Sequence, residues 1–309
     1  MTVHGAGPAD VPEAAVRSPQ AMRRARQRAS VRRFWATYRR QRAGMAGLAL
    51  LGLFLVVALT APLLFSADEL EVTKATGEVL APPSKGYPLG TDEAGRSVLA
   101  LVVWGTRVSL LVGVAATVIS MAIGTLAGIG SGHYRGWAGG VLERLTDWFL
   151  VIPFLPLAIV LATVLGSSLL NIIVVIGVTS WPGTARLVRA QTLAVESRPY
   201  LERARVLGGG HWHQMTRHVL PNVMPLVLAN TTLTVAIAIL SETTLSFLGL
   251  GDPFRVSWGS MLDNAFAAGA ISAGAWWYLL PPGLCVVAVV LAFTLVGRAL
   301  ENVLDPGRR

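Results

Sequence analysis

The sequence predicts an all-α membrane protein that crosses the bilayer several times. Of its 309 residues, 53% are hydrophobic and only 14% are charged, whereas an average soluble protein carries about 25% charged residues. The charges are clustered, which leaves several uncharged stretches long enough for the roughly 20 residues that a spanning helix needs. Helices are expected in these stretches because they are continuous apolar runs, without the alternation typical of a membrane β-barrel.

A basic tail and a first span open the chain. Residues 1–43 contain ten arginines and two acidic residues, and they predict a cytoplasmic tail. The uncharged run 43–67 then predicts a first transmembrane helix over 44–66.

A polar loop separates the first span from the second. Residues 67–104 contain several prolines and predict an extracytoplasmic loop. We expect a short helix from Asp92 onward, on which Asp92 and Arg96 can pair at i, i+4 spacing. The next uncharged run, 108–132, predicts the second span.

The third uncharged run is too long for one span. It covers residues 148–185, and as a single helix it would be about 57 Å long, nearly twice the hydrocarbon thickness of a bilayer. We therefore predict a third span over 143–165 and a fourth over 169–183. The turn between them is expected at Gly166 and the two serines that follow it.

Two further spans complete the predicted six. A polar segment, residues 186–222, precedes an apolar run over 219–251 that is interrupted only by Glu242. The last span is predicted over 279–298. Residues 105–298 then form a core domain, followed by the cytoplasmic tail 299–309.

The distribution of basic residues predicts the orientation. With six spans and a cytoplasmic N-terminus, only five of the 26 Lys and Arg residues lie outside: Lys74, Lys85, Arg96, Arg107 and Arg255. The positive-inside rule therefore places both termini in the cytoplasm, in a multi-pass protein of the cytoplasmic membrane. It also accounts for the net charge of +9, so lipid and not nucleic acid is the expected partner of the basic residues.

The polar segment 186–222 has the pattern of a compact protrusion. Ser197 is expected to cap a short helix with Pro199 in its first turn, and Gly208 is expected to end that helix in a left-handed conformation. A second short helix is predicted over 211–219, stopping near Pro221. Leu201, Ala204 and Gly208 share one face of the first helix, flanked by charged side chains. Patterning alone leaves two readings open: a knob for a partner protein or a solvated helical hairpin.

This segment resembles the EAA loop of the permease subunits of ATP-binding-cassette (ABC) importers. That motif has Glu-x-Ala, then Gly six residues after the Glu, then Leu-Pro twelve residues after the Gly. The matching residues are Glu202, Ala204, Gly208, Leu220 and Pro221. Arg203 replaces the middle alanine, while His218 and Asn222 complete the HVLPN form seen in the peptide and nickel branch. In the family this loop contacts the ATPase subunit, so the resemblance implies ATPase coupling by Leu201, Glu202, Arg203, Ala204, Gly208, His218, Leu220, Pro221 and Asn222.

Other stretches resemble the C-type permease subunit of dipeptide and oligopeptide ABC importers. They are residues 87–113, 243–251, 257–262 and 297–306. The resemblance implies the type I importer permease fold and import of di- or oligopeptides by alternating access. It also implies a homologous second permease, separate ATPase subunits that bind ATP and Mg, and an extracytoplasmic solute-binding protein.

Enzymatic and metal chemistry are not indicated. Neither of the two lysines stands in the Gly-Lys-Ser/Thr context of a Walker A loop, so no ATPase site or cofactor is expected in this chain, and no catalytic motif was found. His211, His213 and His218 have no acidic or cysteine partner at ligand spacing, so no metal site is expected either. Within the apolar runs, Glu242 is a candidate for lining a substrate pathway, because a charged group at that depth is costly. Asn171 and Asn230 are weaker candidates, and for all three a hydrogen bond between helices is the alternative.

Two rival functions stay open at this point. Nickel import, as the ion or a chelate, is the alternative within transport. A membrane anchor that docks partners without transporting anything is the alternative outside it.

Overall fold

The computed structural model describes residues 29, 32–134 and 136–304. Within them the protein is helical, and the only β-type pairing is an isolated bridge between Thr91 and Ser97. The helices are α1 (Arg42–Leu64), α2 (Val98–His133), α3 (Trp137–Val151), α4 (Phe154–Leu165), α5 (Leu169–Glu196), α6 (Pro199–Val206), α7 (His211–Gln214), α8 (Leu220–Leu245), α9 (Trp258–Ala267) and α10 (Trp276–Leu304). Two 3₁₀ helices, Ala67–Leu70 and Val72–Lys74, lie between α1 and α2.

Five helical stretches are long and apolar enough to cross a membrane, and the bent pair α3–α4 makes a sixth if it counts as one span. The prediction of an all-α polytopic protein is therefore confirmed. We name the two ends of the bundle the Trp258 end and the His133 end, after a residue that lies at each. α2 begins at the Trp258 end and finishes at the His133 end.

The first span carries a short helical extension. Residues 32–38 are helical, and the Tyr38 hydroxyl donates a hydrogen bond to the Gly44 carbonyl at 3.1 Å. Burial raises the pKa of the Tyr38 phenol. α1 then packs on α10, where a Cβ added to Gly44 would meet Ala299. Most of the predicted basic tail and the last five residues lie outside the described residues.

The loop before α2 pairs Asp92 with Arg96 but without the predicted short helix. The Arg96 Nε lies 2.6 Å from Asp92 Oδ2, as expected. However, Asp92 Oδ1 also accepts hydrogen bonds from the backbone N–H groups of Ala94 and Arg96. Such local side-chain bonds compete with helix formation. The helix therefore starts only at Val98, with Ser97 as its cap.

α2 and α5 approach each other closely along a stripe of glycines. A Cβ added to Gly124, Gly128 or Gly132 would lie within 2.6–2.8 Å of atoms of α5. Small residues at four-residue spacing allow this approach in membrane helices, where close packing drives association. The Cβ atoms of Thr184, Val188 and Thr192 face these glycines from α5.

The predicted third span, 143–165, is not one straight helix. α3 and α4 meet at an angle of 92°, at Ile152 and Pro153, which are both extended or non-helical. Proline lacks an N–H and disfavours helical conformation in the residue before it. The predicted turn between spans three and four is confirmed, since Gly166 has φ +84° and α5 begins at Leu169.

The break that the sequence predicted before the fifth span is absent. The second short helix was expected to stop near Pro221, but α7 continues through a π-helical segment, Met215–Val219, directly into α8. Pro221 lies in the first turn of α8 and tolerates this position, because its missing N–H falls where the hydrogen-bond register changes. A second π-helical segment, Ser246–Leu250, ends the same span.

The Trp258 end contains α9, which the sequence did not predict. Trp258 is fully buried, and its indole N–H donates to the Val102 carbonyl at 3.1 Å. The final helix α10 contains the predicted span 279–298 and extends beyond it on both sides.

Candidate functional site

The polar segment 186–222 folds at the His133 end as the sequence predicted in outline. α6 starts with Pro199 in its first turn and ends at Val206. Gly208 has φ +82°, and the Gly209 N–H donates to the Ala204 carbonyl at 2.9 Å. The left-handed bend predicted at Gly208 is therefore present.

The predicted cap is not formed by Ser197. Its hydroxyl donates instead to the Ala194 carbonyl at 3.0 Å, and Arg198 occupies the cap position without a side-chain bond. The reason is that α5 continues through Glu196, so Ser197 ends one helix and is too early to begin the next.

The helix face predicted to meet a partner is only partly accessible. Leu201 is fully buried, so its side chain is not accessible for direct contact with a partner in this structure, and its assignment to ATPase coupling stays a prediction. Ala204 is half-buried and Gly208 is exposed. Helical periodicity identified the stripe but not the direction in which it points.

The exposed apolar residues of this segment lie beside the glycine bend. Val206, Leu207 and Trp212 are 83%, 86% and 76% exposed, and we call these three residues the apolar tip. Sequence reasoning missed them, although an apolar pair and a tryptophan on either side of a glycine triplet were visible. Exposed apolar clusters of this kind mark protein-interaction sites.

A shallow cleft of about 300 Å³ lies next to the apolar tip. Its lining comes from both arms of the bend: Tyr200, Arg203, Ala204, Leu207, Gly209, His213 and His218. Of the motif's charged side chains, Glu202 and Arg203 are exposed, and neither forms an ion pair within the described part of the chain. Both are therefore accessible to charges on a partner.

The HVLPN residues shape the entry into α8. The Asn222 amide donates to the His218 carbonyl at 2.6 Å, across the end of the π-helical segment. Leu220 is half-buried, while Pro221 and Asn222 are exposed. These residues therefore join the bend to a span, and Asn222 holds that junction locally.

The three candidates for a substrate pathway lie in three different environments. Glu242 is 1% exposed and accepts hydrogen bonds from Ser109 at 3.0 Å and Ser246 at 2.8 Å. Asn230 donates to Thr184 at 3.2 Å, between α8 and α5. The contacts of these two side chains are those expected for the alternative role of joining helices.

Asn171 serves the turn between α4 and α5. Its amide donates to the carbonyls of Leu165 at 2.6 Å and Gly166 at 3.0 Å. The structure therefore does not bring Asn171, Asn230 and Glu242 together at one site. Their assignment to a pathway stays a prediction.

A large open groove at the Trp258 end was not predicted. It encloses about 1100 Å³ between α1, the start of α2 and residues 249–264. Its walls include Leu55, Leu59 and Leu111, and its rim includes Arg107 and Asp263. No cluster of three or more metal-ligating side chains was found among the residues that the structure describes.

A bundle of apolar helices with an exposed apolar tip at one end defines an integral membrane protein. Comparison with protein families identifies it further. Residues 124–309 match the family model described as the binding-protein-dependent transport system inner membrane component. Residues 31–83 match the N-terminal transmembrane domain of oligopeptide transport permease C.

Several relatives are similar over most of the chain. A glutathione transport system permease protein of Pectobacterium atrosepticum is 33% identical over 89% of this chain and 90% of its own length. A dipeptide transport system permease protein of Bacillus subtilis is 35% identical over 89% and 85%. A di/tripeptide transport system permease protein of Pseudomonas aeruginosa is 35% identical over 89% and 92%.

The chain therefore belongs to the family of binding-protein-dependent transport system inner membrane components. It is a multi-pass permease subunit of an ABC importer and not a catalytic enzyme, as the sequence predicted. Membership of this family implies work together with ATPase and permease partners.

Proposed function

We propose that this permease moves di- and oligopeptides across the cytoplasmic membrane by alternating access, driven by ATP hydrolysis in separate subunits. The support for the substrate class is that relatives over most of the chain are named for dipeptides, for di- and tripeptides and for glutathione, itself a tripeptide. The observation that carries the mechanism is the apolar tip, which projects from the motif segment at the His133 end.

The apolar tip is the proposed contact with the ATPase. Its three side chains are more than 75% exposed, and the accessible Glu202 and Arg203 flank them. A buried apolar anchor surrounded by charged residues is the usual anatomy of a protein interface. We refer to residues 186–222 as the coupling loop from here on. ATP and Mg bind in the partner ATPase under this proposal and not in this chain.

The proposed orientation places the His133 end in the cytoplasm. The coupling loop and the tail carry most of the basic residues, which favours the cytoplasmic side for both termini. The opposite Trp258 end then faces the extracytoplasmic solute-binding protein. The exposed leucines and valines of α1, among them Leu53, Leu59 and Leu63, contact lipid or the second permease.

Orientation is testable because the chain has a single cysteine, Cys285. In a Cys285→Ser background, cysteines are introduced singly at Trp212 and at Phe254, which is 94% exposed. A membrane-impermeant maleimide added to spheroplasts is expected to label position 254 and not position 212. The reverse pattern would overturn the proposed orientation.

Function is tested by purifying the tagged chain with its partners from solubilised membranes. Recovery of a homologous permease and ATPases, followed by ATP-dependent uptake of a radiolabelled dipeptide in proteoliposomes supplied with the binding protein, would support the proposal. Uptake of nickel without uptake of dipeptides would favour the alternative substrate. A chain that purifies alone, under conditions that preserve other membrane complexes, would favour the anchor function.

A further inference from the structure

A cluster of charged and polar side chains joins the coupling loop to the bundle. Its centre is Glu196, the last residue of α5, and its other members are His133, Arg205, His211 and Gln214. We call these five residues the Glu196 cluster. They come from the ends of two spans and from both arms of the bend, so they are brought together only by the fold.

Glu196 is a buried carboxylate whose two oxygens are both used. The His133 Nδ1 lies 2.6 Å from Oε1, and the Arg205 guanidinium donates to Oε2. The side chains of His133 and Glu196 are 1% and 6% exposed. A buried carboxylate is stable only with such partners, and removing one partner of a buried pair is far more disruptive than removing an exposed one.

The cluster continues into the bend and into α7. The Arg205 Nε donates to Gln214 Oε1 at 3.1 Å, and the Gln214 amide donates to the Gly209 carbonyl at 2.5 Å. On the other side, His133 Nε2 lies 2.9 Å from His211 Nδ1. Both arms of the bend are therefore connected to one carboxylate at the end of α5 and one imidazole at the end of α2.

No other ion pair at the His133 end has this character within the described residues. Arg186 and Asp147 pair at 2.8 Å, but their side chains are 65% and 51% exposed. Arg189 and Glu143 are 32% and 42% exposed. Exposed pairs contribute little to holding two elements together.

We propose that Glu196 is a positioning residue that makes residues 199–214 of the coupling loop move as one body with the ends of α2 and α5. A displacement of the apolar tip is then passed to two spans instead of being absorbed by the bend. This inference rests on the proposed coupling role of the apolar tip, and it adds the residues that transmit the movement. Glu196 itself contacts neither the ATPase nor the substrate.

The test uses the assembled complex with Glu196→Gln, Arg205→Gln and the control Asp147→Asn. Asp147→Asn removes an acid–arginine pair at the same end of the bundle, but an exposed one. Hydrogen–deuterium exchange is measured over residues 199–214, together with dipeptide uptake per ATP hydrolysed. Glu196→Asp tests rescue, because it keeps the charge.

We expect exchange over residues 199–214 to rise at least about tenfold in Glu196→Gln and Arg205→Gln, and uptake per ATP to fall about tenfold, while hydrolysis continues. Glu196→Asp is expected to recover part of the uptake, and Asp147→Asn to match the unmodified chain. A merely structural role would instead lower hydrolysis and uptake together.

Unchanged exchange in both variants, or raised exchange with an unchanged uptake ratio, would overturn the inference. If Glu196→Gln fails to assemble, Arg205→Gln decides, because its side chain is 37% exposed. If the unmodified complex takes up no dipeptide, the proposed substrate class is wrong. Hydrogen exchange then decides the positioning role by itself.

Discussion

Replacing Gly208 by leucine should uncouple the permease without unfolding it. Gly208 adopts φ +82°, a left-handed conformation that costs an L-residue with a side chain about 1–2 kcal/mol. No atom lies within 4 Å of a Cβ built at this position, so the leucine meets no steric obstacle. The conformational penalty therefore destabilises the native backbone conformation of the bend.

A penalty of this size shifts the population of the native bend by about 5–30-fold. Val206 and Leu207 of the apolar tip lie on the N-terminal side of the bend together with Arg205 of the Glu196 cluster, and Trp212 and His211 lie on its other side. We expect co-purification of the second permease to be unchanged and ATP-dependent dipeptide uptake to fall about tenfold. Uptake is measured in proteoliposomes at equal amounts of complex.

Two matched variants separate backbone strain from side-chain bulk. Gly210→Leu adds the same bulk in the same glycine triplet, but Gly210 has φ −66° and open space around its Cβ. It should retain nearly full uptake. Gly208→Asn should also retain most uptake, because asparagine tolerates the left-handed region. Full activity in Gly208→Leu, or equal losses at Gly208 and Gly210, would refute the role of the bend.

Three further predictions concern the tip, the helix contact and the buried acid. Leu207→Asp or Trp212→Ala should weaken ATPase binding at least about 30-fold, as for an interface hot spot, with exposed Val79→Asp as control in the same pull-down. Gly128→Val should lower the free energy of unfolding by about 1–3 kcal/mol, and with it the melting temperature in detergent, because the Cβ would lie 2.6 Å from the Ala185 carbonyl oxygen. The control Gly52→Val, where the Cβ has open space, should leave the melting temperature unchanged. If the hydrogen bonds of Glu242 serve to join helices, Glu242→Gln should keep uptake within about twofold of the unmodified complex. Glu242→Leu should lower the free energy of unfolding by about 1–3 kcal/mol, because it leaves the hydroxyls of Ser109 and Ser246 without their hydrogen-bond partner. Loss of uptake in an assembled Glu242→Gln complex would instead favour a pathway role.

The spans and the glycine bend were predictable because each follows from a local physical rule. Long uncharged runs have few alternatives to spanning helices, and only a glycine-like residue readily ends a helix at φ +82°. The contact between Asp92 and Arg96 was predictable from their spacing, but the non-helical backbone between them was not. The same carboxylate also satisfies backbone groups, which the spacing does not reveal.

Proline shows why the break in the third span was missed. Pro153 separates α3 from α4 at 92°, yet Pro62 and Pro182 lie inside continuous helices. Neighbouring helices can satisfy the freed backbone groups in one case and not in another. The outcome therefore depends on tertiary packing, and the residue alone does not decide it.

The sequence also did not predict which face of α6 is buried. Leu201 satisfies the periodicity of a contact face but is buried, whereas Val206 and Leu207 belong to the exposed apolar tip. Periodicity defines a stripe on a helix, and only the orientation of that helix decides which stripe is covered. The Glu196 cluster was hidden for the same reason, since Glu196 meets His133 across 63 positions of sequence.

α2 is the helix that joins the polar contacts at the two ends of the permease. At the His133 end it is tied to α5 and the coupling loop by the Glu196 cluster. Over the last third of α2, the glycine stripe leaves no space for α5 to slide without separating. Near the Trp258 end, the Ser109 hydroxyl donates to Glu242 of α8 and accepts a hydrogen bond from the backbone N–H of Trp258.

A helix of 36 residues is about 54 Å long, which exceeds the hydrocarbon thickness of a bilayer. Because α2 is fastened at both ends and packed tightly between them, a displacement of the coupling loop has little room to be absorbed locally. Packed helices of this kind shift as units and do not deform continuously. Under the proposed coupling role, movement that begins at the apolar tip would therefore reach the Ser109–Glu242 contact, and the groove at the Trp258 end, through α2.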